Sequence, residues 1–175
     1  MNYDMFELIL GGARSGKSRF AEQLALESGL EVIYIATATV GDSEMATRIA
    51  HHQQNRPTHW QTIETPVDLA KTLQTYAHPQ TCLLVDCLTL WLNNCLFDQT
   101  VCWQTQKQLL LEQIAKLPGR QILVSNEVGQ GIVPLGAISR QFVDESGYLH
   151  QNLASLADRV FFVIAGLPQL LKGNL

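Results

Sequence analysis

Residues 11–18 read Gly-Gly-Ala-Arg-Ser-Gly-Lys-Ser and match the pattern G-x-x-x-x-G-K-[ST] of a phosphate-binding loop. This motif needs a strand before it and a helix after it. Residues 6–10 form a short apolar run, and apolar residues recur at helical spacing over residues 18–28. The stretch therefore predicts a loop that binds a nucleoside triphosphate. The alternative is a glycine-rich turn that merely joins a strand to a helix.

Each part of this loop has a chemical task. Glycines let successive backbone N–H groups point at phosphate oxygens, and the following helix adds the positive end of its dipole. Lys17 is expected to act catalytically between the β- and γ-phosphates, and Ser18 is expected to hold Mg²⁺. The predicted nucleotide-binding residues of the loop are Gly11, Gly12, Ala13, Arg14, Ser15, Gly16, Lys17 and Ser18.

Strand-length apolar runs alternate with helical periods along the rest of the chain. Strands are predicted at residues 6–10, 32–36, 83–85, 121–124 and, as the last strand, 159–164. Helices are predicted at residues 18–28, 43–55, 104–117 and 138–156, the last one weakened at Gly147, and another begins with Thr65 as its cap. The alternation predicts an α/β fold of the P-loop NTPase (RecA-like) kind, with a mostly parallel central sheet and helices on both faces. We expect one domain over residues 1–175.

Composition excludes several classes of protein. The chain of 175 residues is 46% hydrophobic and 16% charged, which favours a folded core over disorder. A net charge of -4 argues against broad nucleic-acid binding, which needs a surplus of Lys and Arg. We expect no secretory signal and no membrane span, and therefore a cytoplasmic protein. The four cysteines form no C-x-x-C pair, which favours structural cysteines over metal ligands or disulfides.

A carboxylate follows a second buried strand. Residues 83–86 read Leu-Leu-Val-Asp, so Asp86 lies where the apolar run stops. An acid in this position is suited to hold Mg²⁺, directly or through water. The alternative is an aspartate that caps the next turn.

Two adjacent histidines, His51 and His52, lie in the predicted helix at residues 43–55. On a helix, His51 shares a polar face with Arg48, whereas His52 borders the apolar stripe. A neutral imidazole is a competent nucleophile toward phosphorus, and a nearby cation stabilises charge that develops on phosphate. The alternative is a pair of surface histidines beside a solvated arginine.

Several further segments, taken with the loop, resemble a single family. They are Tyr34-Ile35-Ala36-Thr37-Ala38, Arg48-Ile49-Ala50-His51-His52 with Arg56-Pro57, Trp60-Gln61-Thr62-Ile63-Glu64, Asp86-Cys87-Leu88-Thr89-Leu90-Trp91, and Asn126-Glu127-Val128-Gly129-Gln130-Gly131-Ile132-Val133-Pro134. Over about residues 7–166 the chain resembles the adenosylcobinamide kinase/adenosylcobinamide-phosphate guanylyltransferase family. Chance agreement of so many segments in one order is implausible.

The resemblance implies two reactions. A phosphoryl group passes to the aminopropanol hydroxyl of adenosylcobinamide, and GMP from GTP then passes through a histidine to adenosylcobinamide phosphate. By its position in the Arg-Ile-x-His motif, that histidine is His51. The resemblance further implies a nucleotide site lined by Ala36, Thr37, Ala38, His52, Gln53, Gln54, Asn55, Glu64 and Asp86.

The segment after the strand at 121–124 is placed near the active site by the same resemblance. Ligands bind at the carboxyl ends of parallel strands, so Asn126 and Glu127 are possible substrate-site residues, together with Arg48. Glu127 is the candidate for orienting the acceptor or a metal, and a purely structural loop is the alternative. Glu64 is expected to bind a ribose or guanine edge, unless it is an ordinary acid at the end of a strand.

The implied cofactor is Mg²⁺, the implied substrates are GTP, ATP and the corrinoid, and the implied assembly is a homotrimer. One departure from the resemblance is that residues 53–55 carry no positive charge. Two other functions fit the phosphate loop itself. They are a small-molecule kinase without guanylyl transfer and a nucleotide-binding switch module.

Overall fold

The centre of the protein, in a computed structural model that describes residues 4–38 and 57–174, is a seven-stranded sheet. Its strands are β1 (Met5–Gly11), β2 (Glu31–Ala36), β3 (Gln61–Glu64), β4 (Thr81–Asp86), β5 (Arg120–Asn126), β6 (Arg159–Ile164) and β7 (Leu167–Lys172). Their order across the sheet is β3-β2-β4-β5-β1-β6-β7, and all neighbouring pairs are parallel except β6 and β7. The predicted mostly parallel sheet is thus confirmed.

Helices cover both faces of this sheet. They are α1 (Lys17–Glu27), α2 (Leu69–Tyr76), α3 (Leu88–Phe97), α4 (Trp103–Gln113), which continues into a 3₁₀ turn at Ile114–Lys116, and α5 (Ala137–Leu156). Apolar residues of α1 pack on one face, and those of α2, α3, α4 and α5 pack on the other. Of the described helices, none combines the length and apolar character that a membrane crossing requires.

Successive side chains of β1 point to opposite faces of the sheet, and both faces receive apolar side chains. Leu8 belongs to the core beneath α2 to α5, whereas Ile9 belongs to the core beneath α1, and both are fully buried. Burial of such a side chain contributes about 1.5–3 kcal/mol relative to exposure. Strands apolar on both sides are typical of parallel sheets covered by helices.

The predicted start of the second described helix was wrong. Thr65 does not cap it: α2 begins at Leu69, with Asp68 at the cap position and no side-chain hydrogen bond there. Thr65 instead continues the path of β3, because its N–H donates to the Ala36 carbonyl at 2.8 Å. Its buried hydroxyl lies 3.0 Å from that of Thr72. Thr65 therefore belongs to the end of the sheet, where it contacts α2, and does not cap that helix.

One further prediction needed correction at the end of the chain. Residues 159–164 do not form the last strand, because β7 returns antiparallel to β6 after a turn with positive φ at Ala165 and Gly166. β7 is an exposed edge strand that contains Pro168, so it lacks the buried alternation that marks a strand. The helix predicted at 138–156, with a weak position at Gly147, is α5, which runs continuously for 20 residues.

The remaining sequence predictions divide by location. The strands at 6–10, 32–36, 83–85 and 121–124 and the helices at 18–28, 104–117 and 138–156 are confirmed within a few residues. The helix predicted at 43–55 lies outside the described residues. The single domain over residues 1–175 stays a prediction. Cys82, Cys87 and Cys95 are buried, and burial raises their thiol pKa values to about 12, 11 and 12.

Candidate active site

The carboxyl edge of the sheet gathers most of the described candidate residues. Ala36 of β2 pairs with Glu64 on one side and with Asp86 on the other. Gly11 of β1 pairs with Asn126 of β5. Because parallel strands end at the same edge, the phosphate loop, Asp86 and Asn126 lie on neighbouring strands.

The phosphate loop leaves β1 in a conformation that larger residues would disrupt. A Cβ atom on Gly11 would lie 2.5 Å from Ser15 Oγ and 2.7 Å from the Val163 carbonyl oxygen. Gly16 has φ 94°, in the left-handed region, and the Phe20 N–H closes the first turn of α1 by donating to the Gly16 carbonyl at 3.0 Å. The glycines at these two positions are thus required by close approach and by backbone geometry.

The turn between β6 and β7 supports the loop from the side. The Gly166 N–H donates to the Ser15 carbonyl at 2.8 Å, and a Cβ on Gly16 would lie 3.0 Å from Gly166 Cα. Sequence reasoning missed this support because it ended the sheet at β6. The available signal was Gly166 itself, directly after an apolar strand.

Lys17 is a buried cation with few partners. It is 8% exposed, and within the described residues its ammonium donates one hydrogen bond, to the Gly12 carbonyl at 3.1 Å. Burial lowers its pKa, and the negative charge of Asp86 partly opposes that shift. Nearby, Ser15 Oγ is buried and has no hydrogen-bond partner among the described residues. A phosphate would supply both groups with the acceptor they lack.

Ser18 and Asp86 are suited to a magnesium ion. Ser18 lies in the first turn of α1. Asp86 is the last residue of β4, and its negative charge raises the pKa of Lys17 against the effect of burial. A hydroxyl and a carboxylate are the oxygen donors that Mg²⁺ uses beside nucleotide phosphates. The residues at this edge therefore fit the ion, and its binding stays a prediction.

Thr37 has a structural task. Its buried hydroxyl donates to the Cys87 carbonyl at 2.7 Å and accepts from the Cys87 N–H at 3.0 Å. The side-chain amide of Asn94, a residue that sequence reasoning missed, donates to the Thr37 carbonyl at 2.8 Å. Thr37 thus holds the end of β2 against that of β4, while half-buried Ala36 and Ala38 flank it at the predicted nucleotide site.

Glu64 lies at the same edge but far from the phosphate loop. It is exposed at the end of β3, the outermost strand. With adjacent strands about 4.8 Å apart, four strand spacings place Glu64 roughly 19 Å from Gly11. Glu64 is thus placed away from the loop itself, and its contact with a ribose or a base further along the edge stays a prediction.

Asn126 and Glu127 adjoin the phosphate loop directly. The Glu127 N–H donates to the Gly11 carbonyl at 2.9 Å, and the Asn126 N–H donates to Thr89 Oγ1 at 2.7 Å. Asn126 Oδ1 is buried without a hydrogen-bond partner among the described residues. Glu127 Oε1 accepts from the Gly129 N–H at 2.5 Å. The structure thus brings both candidates to the loop, as a substrate-site role requires.

Six of the candidate residues cannot be placed by the structure. They are Arg48, His51, His52, Gln53, Gln54 and Asn55, and they lie outside the described residues. The chain leaves the described structure after Ala38, at the carboxyl edge, and re-enters it at Pro57. The predicted roles of these six stay predictions.

Comparison with known proteins decides the family. The sequence model of the cobinamide kinase/cobinamide phosphate guanyltransferase family matches residues 7–171. The chain belongs to this family. It is 59% identical over 171 residues to the bifunctional adenosylcobalamin biosynthesis protein CobP of Pseudomonas aeruginosa, a match that covers 97% of this chain and 99% of the relative. It is 39% identical over 182 residues to the Escherichia coli protein CobU, over 96% and 100% of the two chains.

Solved structures with the same fold are more distant in sequence. The flagellar accessory protein FlaH of Methanocaldococcus jannaschii matches with a TM-score of 0.57 at 14% identity, over 99% of this chain and 80% of that one. A solved ATPase domain matches with a TM-score of 0.51 at 17% identity, over 93% and 70% of the two chains. At these identities the two structures confirm the predicted fold class and show nothing about the substrate.

Proposed function

We propose that this chain phosphorylates adenosylcobinamide and then transfers GMP from GTP to adenosylcobinamide phosphate, giving adenosylcobinamide-GDP. The observation that carries this proposal is the family match over residues 7–171, which contains an intact phosphate loop beside Asp86, Asn126 and Glu127. The family description names both activities, and the relatives are named bifunctional adenosylcobalamin biosynthesis proteins, which supports both steps.

The kinase step needs positioning and charge neutralisation more than covalent chemistry. The loop amides and Lys17 hold the phosphates and stabilise the charge that develops on the transferred group. Ser18 and Asp86 would hold Mg²⁺, which neutralises phosphate oxygens when it is bound. The acceptor hydroxyl attacks the γ-phosphorus, the nucleoside diphosphate leaves, and the hydroxyl proton passes to a nearby base.

The guanylyl transfer proceeds by two displacements at the α-phosphorus of GTP. Neutral His51 attacks, a bond from phosphorus to nitrogen forms, and pyrophosphate leaves. A phosphate oxygen of adenosylcobinamide phosphate then attacks the same phosphorus, and the imidazole leaves. Arg48 would stabilise the charge on phosphate during both displacements. His52 to Asn55, with Ala36 to Ala38 and Glu64, would line the nucleotide site.

We further propose a homotrimer located in the cytoplasm, using ATP or GTP for the kinase step. Self-association is supported by apolar side chains that are exposed between β5 and α5: Ile132 and Leu135 are each 98% exposed, and Val133 and Ile138 lie beside them. Light scattering on the purified chain tests the assembly, for which we expect the mass of three chains. A monomer would contradict it, and cell fractionation tests the location.

The test of the two activities uses purified protein with Mg²⁺, adenosylcobinamide and either ATP or GTP. We expect adenosylcobinamide phosphate with either nucleotide and adenosylcobinamide-GDP with GTP, separated by chromatography. Lys17→Ala should lose the first product, and His51→Ala should lose only the second. Phosphorylation without any GDP product would favour a small-molecule kinase. Slow nucleotide hydrolysis without a corrinoid product would favour a switch module.

A further inference from the structure

A buried chain of polar groups lies at the carboxyl end of β5 and has no part in the reactions described above. Ser125 and His150 are 1% and 6% exposed. His150 Nε2 lies 2.7 Å from Ser125 Oγ, and His150 Nδ1 lies 3.4 Å from Glu127 Oε2. A residue of α5 thus links a central strand to the carboxylate beside the phosphate loop.

One consistent set of donors and acceptors starts from the Asn126 N–H, which can only donate. The Asn126 N–H donates to Thr89 Oγ1, so the Thr89 hydroxyl proton is available to Ser125 Oγ, 3.3 Å away. Ser125 can then donate its own proton to His150 Nε2. A neutral imidazole that accepts at Nε2 carries its proton on Nδ1, the nitrogen that faces Glu127.

The surroundings of His150 favour this neutral form. Burial lowers the pKa of its imidazole, and the Glu127 carboxylate opposes that shift. Ser125 is not a nucleophile in a Ser-His-Glu arrangement, because it lies within a central strand and is closed to solvent. The chain of hydrogen bonds therefore serves to orient the imidazole.

One oxygen of Glu127 is held by a hydrogen bond, and the other lies within ion-pair distance of His150. Oε1 accepts from the Gly129 N–H, whereas Oε2 lies 3.4 Å from His150 Nδ1, a buried atom that has no hydrogen-bond partner among the described residues. The Glu127 backbone is fixed to the phosphate loop through the Gly11 carbonyl. Its side chain is 19% exposed, so the carboxylate is restrained but not closed off.

We propose that His150 is a positioning residue, which holds the Glu127 carboxylate in place to receive the acceptor hydroxyl of the corrinoid, with Ser125 and Thr89 fixing the imidazole. This inference rests on the proposed function, since it gives Glu127 the task of orienting the acceptor. A misplacement of about 1 Å in such a group can lower a rate about a hundredfold.

Two substitutions of His150 test the contacts of its two ring nitrogens separately. In His150→Asn the side-chain amide occupies the place of Nδ1 and can still donate to Glu127. In His150→Gln the side-chain amide occupies the place of Nε2. It therefore keeps the hydrogen bond with Ser125 and loses the contact with Glu127. We expect His150→Gln to lower kcat/KM for adenosylcobinamide about tenfold or more, with the KM for the nucleotide unchanged. His150→Asn should retain most activity, as should the control Gln151→Ala on the exposed face of α5.

The outcomes distinguish this inference from the proposed function. If the wild-type protein does not phosphorylate the corrinoid, the proposed function is wrong. An active wild type with equal losses in both variants, or losses that follow their melting temperatures, would overturn the positioning role. Nitrogen-15 NMR of histidine-labelled wild-type protein tests the orientation without any activity. We expect His150 protonated at Nδ1, and a proton on Nε2 instead would overturn the inference.

Discussion

A charged side chain is buried near each end of β1, Glu7 within the strand and Lys17 in the first turn of α1 beyond it, and the two charges are paired differently. At the amino end, Glu7 is fully buried and its carboxylate contacts Arg120 and Arg159, the first residues of the two neighbouring strands. At the carboxyl end, Lys17 is 8% exposed and its ammonium has one carbonyl acceptor within the described residues. The Glu7 charge is thus paired with two arginines, whereas the Lys17 charge can still be paired by a bound ligand.

The difference teaches how to separate a structural charge from a functional one. A buried charge is costly unless hydrogen bonds and opposite charges surround it. Glu7 meets that condition with hydrogen bonds from Arg120 Nε at 2.6 Å and Arg159 Nε at 2.9 Å. Lys17 does not, and the unpartnered Ser15 Oγ lies in the same loop of the described structure. Incomplete pairing at the carboxyl edge is therefore what marks the binding site.

The largest expected effect on stability is that of Glu7→Gln. The substitution leaves two mostly buried arginines without a counter-charge, so we expect the free energy of unfolding to fall by about 3–5 kcal/mol. Urea unfolding measures the change. The matched control is Glu31→Gln, at an exposed position where β2 begins, which should change it by less than about 0.5 kcal/mol. Equal effects at the two positions would show that Glu7 is not a structural charge.

The substitution Lys17→Met should separate activity from stability. Loss of the ammonium removes its contact with phosphate, so kinase turnover should fall at least about a hundredfold. The methionine keeps most of the volume and removes a poorly paired buried charge, so the free energy of unfolding should stay constant or rise by up to about 1 kcal/mol. Turnover assays and urea unfolding measure the two effects.

The control for this change is Lys71→Met, on the exposed face of α2, which should retain full turnover. A Lys17→Met protein as unstable as Glu7→Gln would contradict the assignment of Lys17 to a ligand.

A smaller, pH-dependent effect is expected at Glu145, a partly exposed carboxylate with a full set of donors. Burial raises its pKa, but hydrogen bonds from Trp103 and Lys107 outweigh burial and leave the pKa below its ordinary value of 4.5. The carboxylate therefore adds stability above pH 4.5, and that stability is lost as the pH falls through the folded-state pKa.

Glu145→Gln should thus be less stable than the wild type at pH 7, by less than about 1 kcal/mol, and the gap should close in acid. Thermal unfolding at several pH values measures the gap, with the exposed Glu112→Gln as the control. A gap independent of pH would mean that the ionised carboxylate is not the source of the stability.

Much of the fold and of the phosphate site could be predicted because the signals are local. The motif at 11–18 specifies its own strand and helix, and the buried run ending in Asp86 specifies a second strand at the same edge. The helical spacing of the apolar residues predicted α4 and α5. These elements required no knowledge of distant contacts.

The parts that could not be predicted depend on contacts distant in sequence. β7 is an exposed edge strand without alternation, and it matters because its turn reaches Ser15. No helix was predicted for α3, which follows β4 after the single residue Cys87. The link between His150 and Glu127 joins residues 23 positions apart, and no local pattern marks His150 as a partner.

The central claim is that His51 becomes guanylylated in a protein that also carries a P-loop kinase site, and α-³²P-labelled GTP with Mg²⁺ tests it most directly. After denaturation we expect acid-labile, base-stable label on the wild type and on the control His59→Ala, and none on His51→Ala. Lys17→Met should reduce the kinase product without changing the chemistry of the label. Label that persists in His51→Ala, or no label under conditions where GTP binds, would contradict the claim.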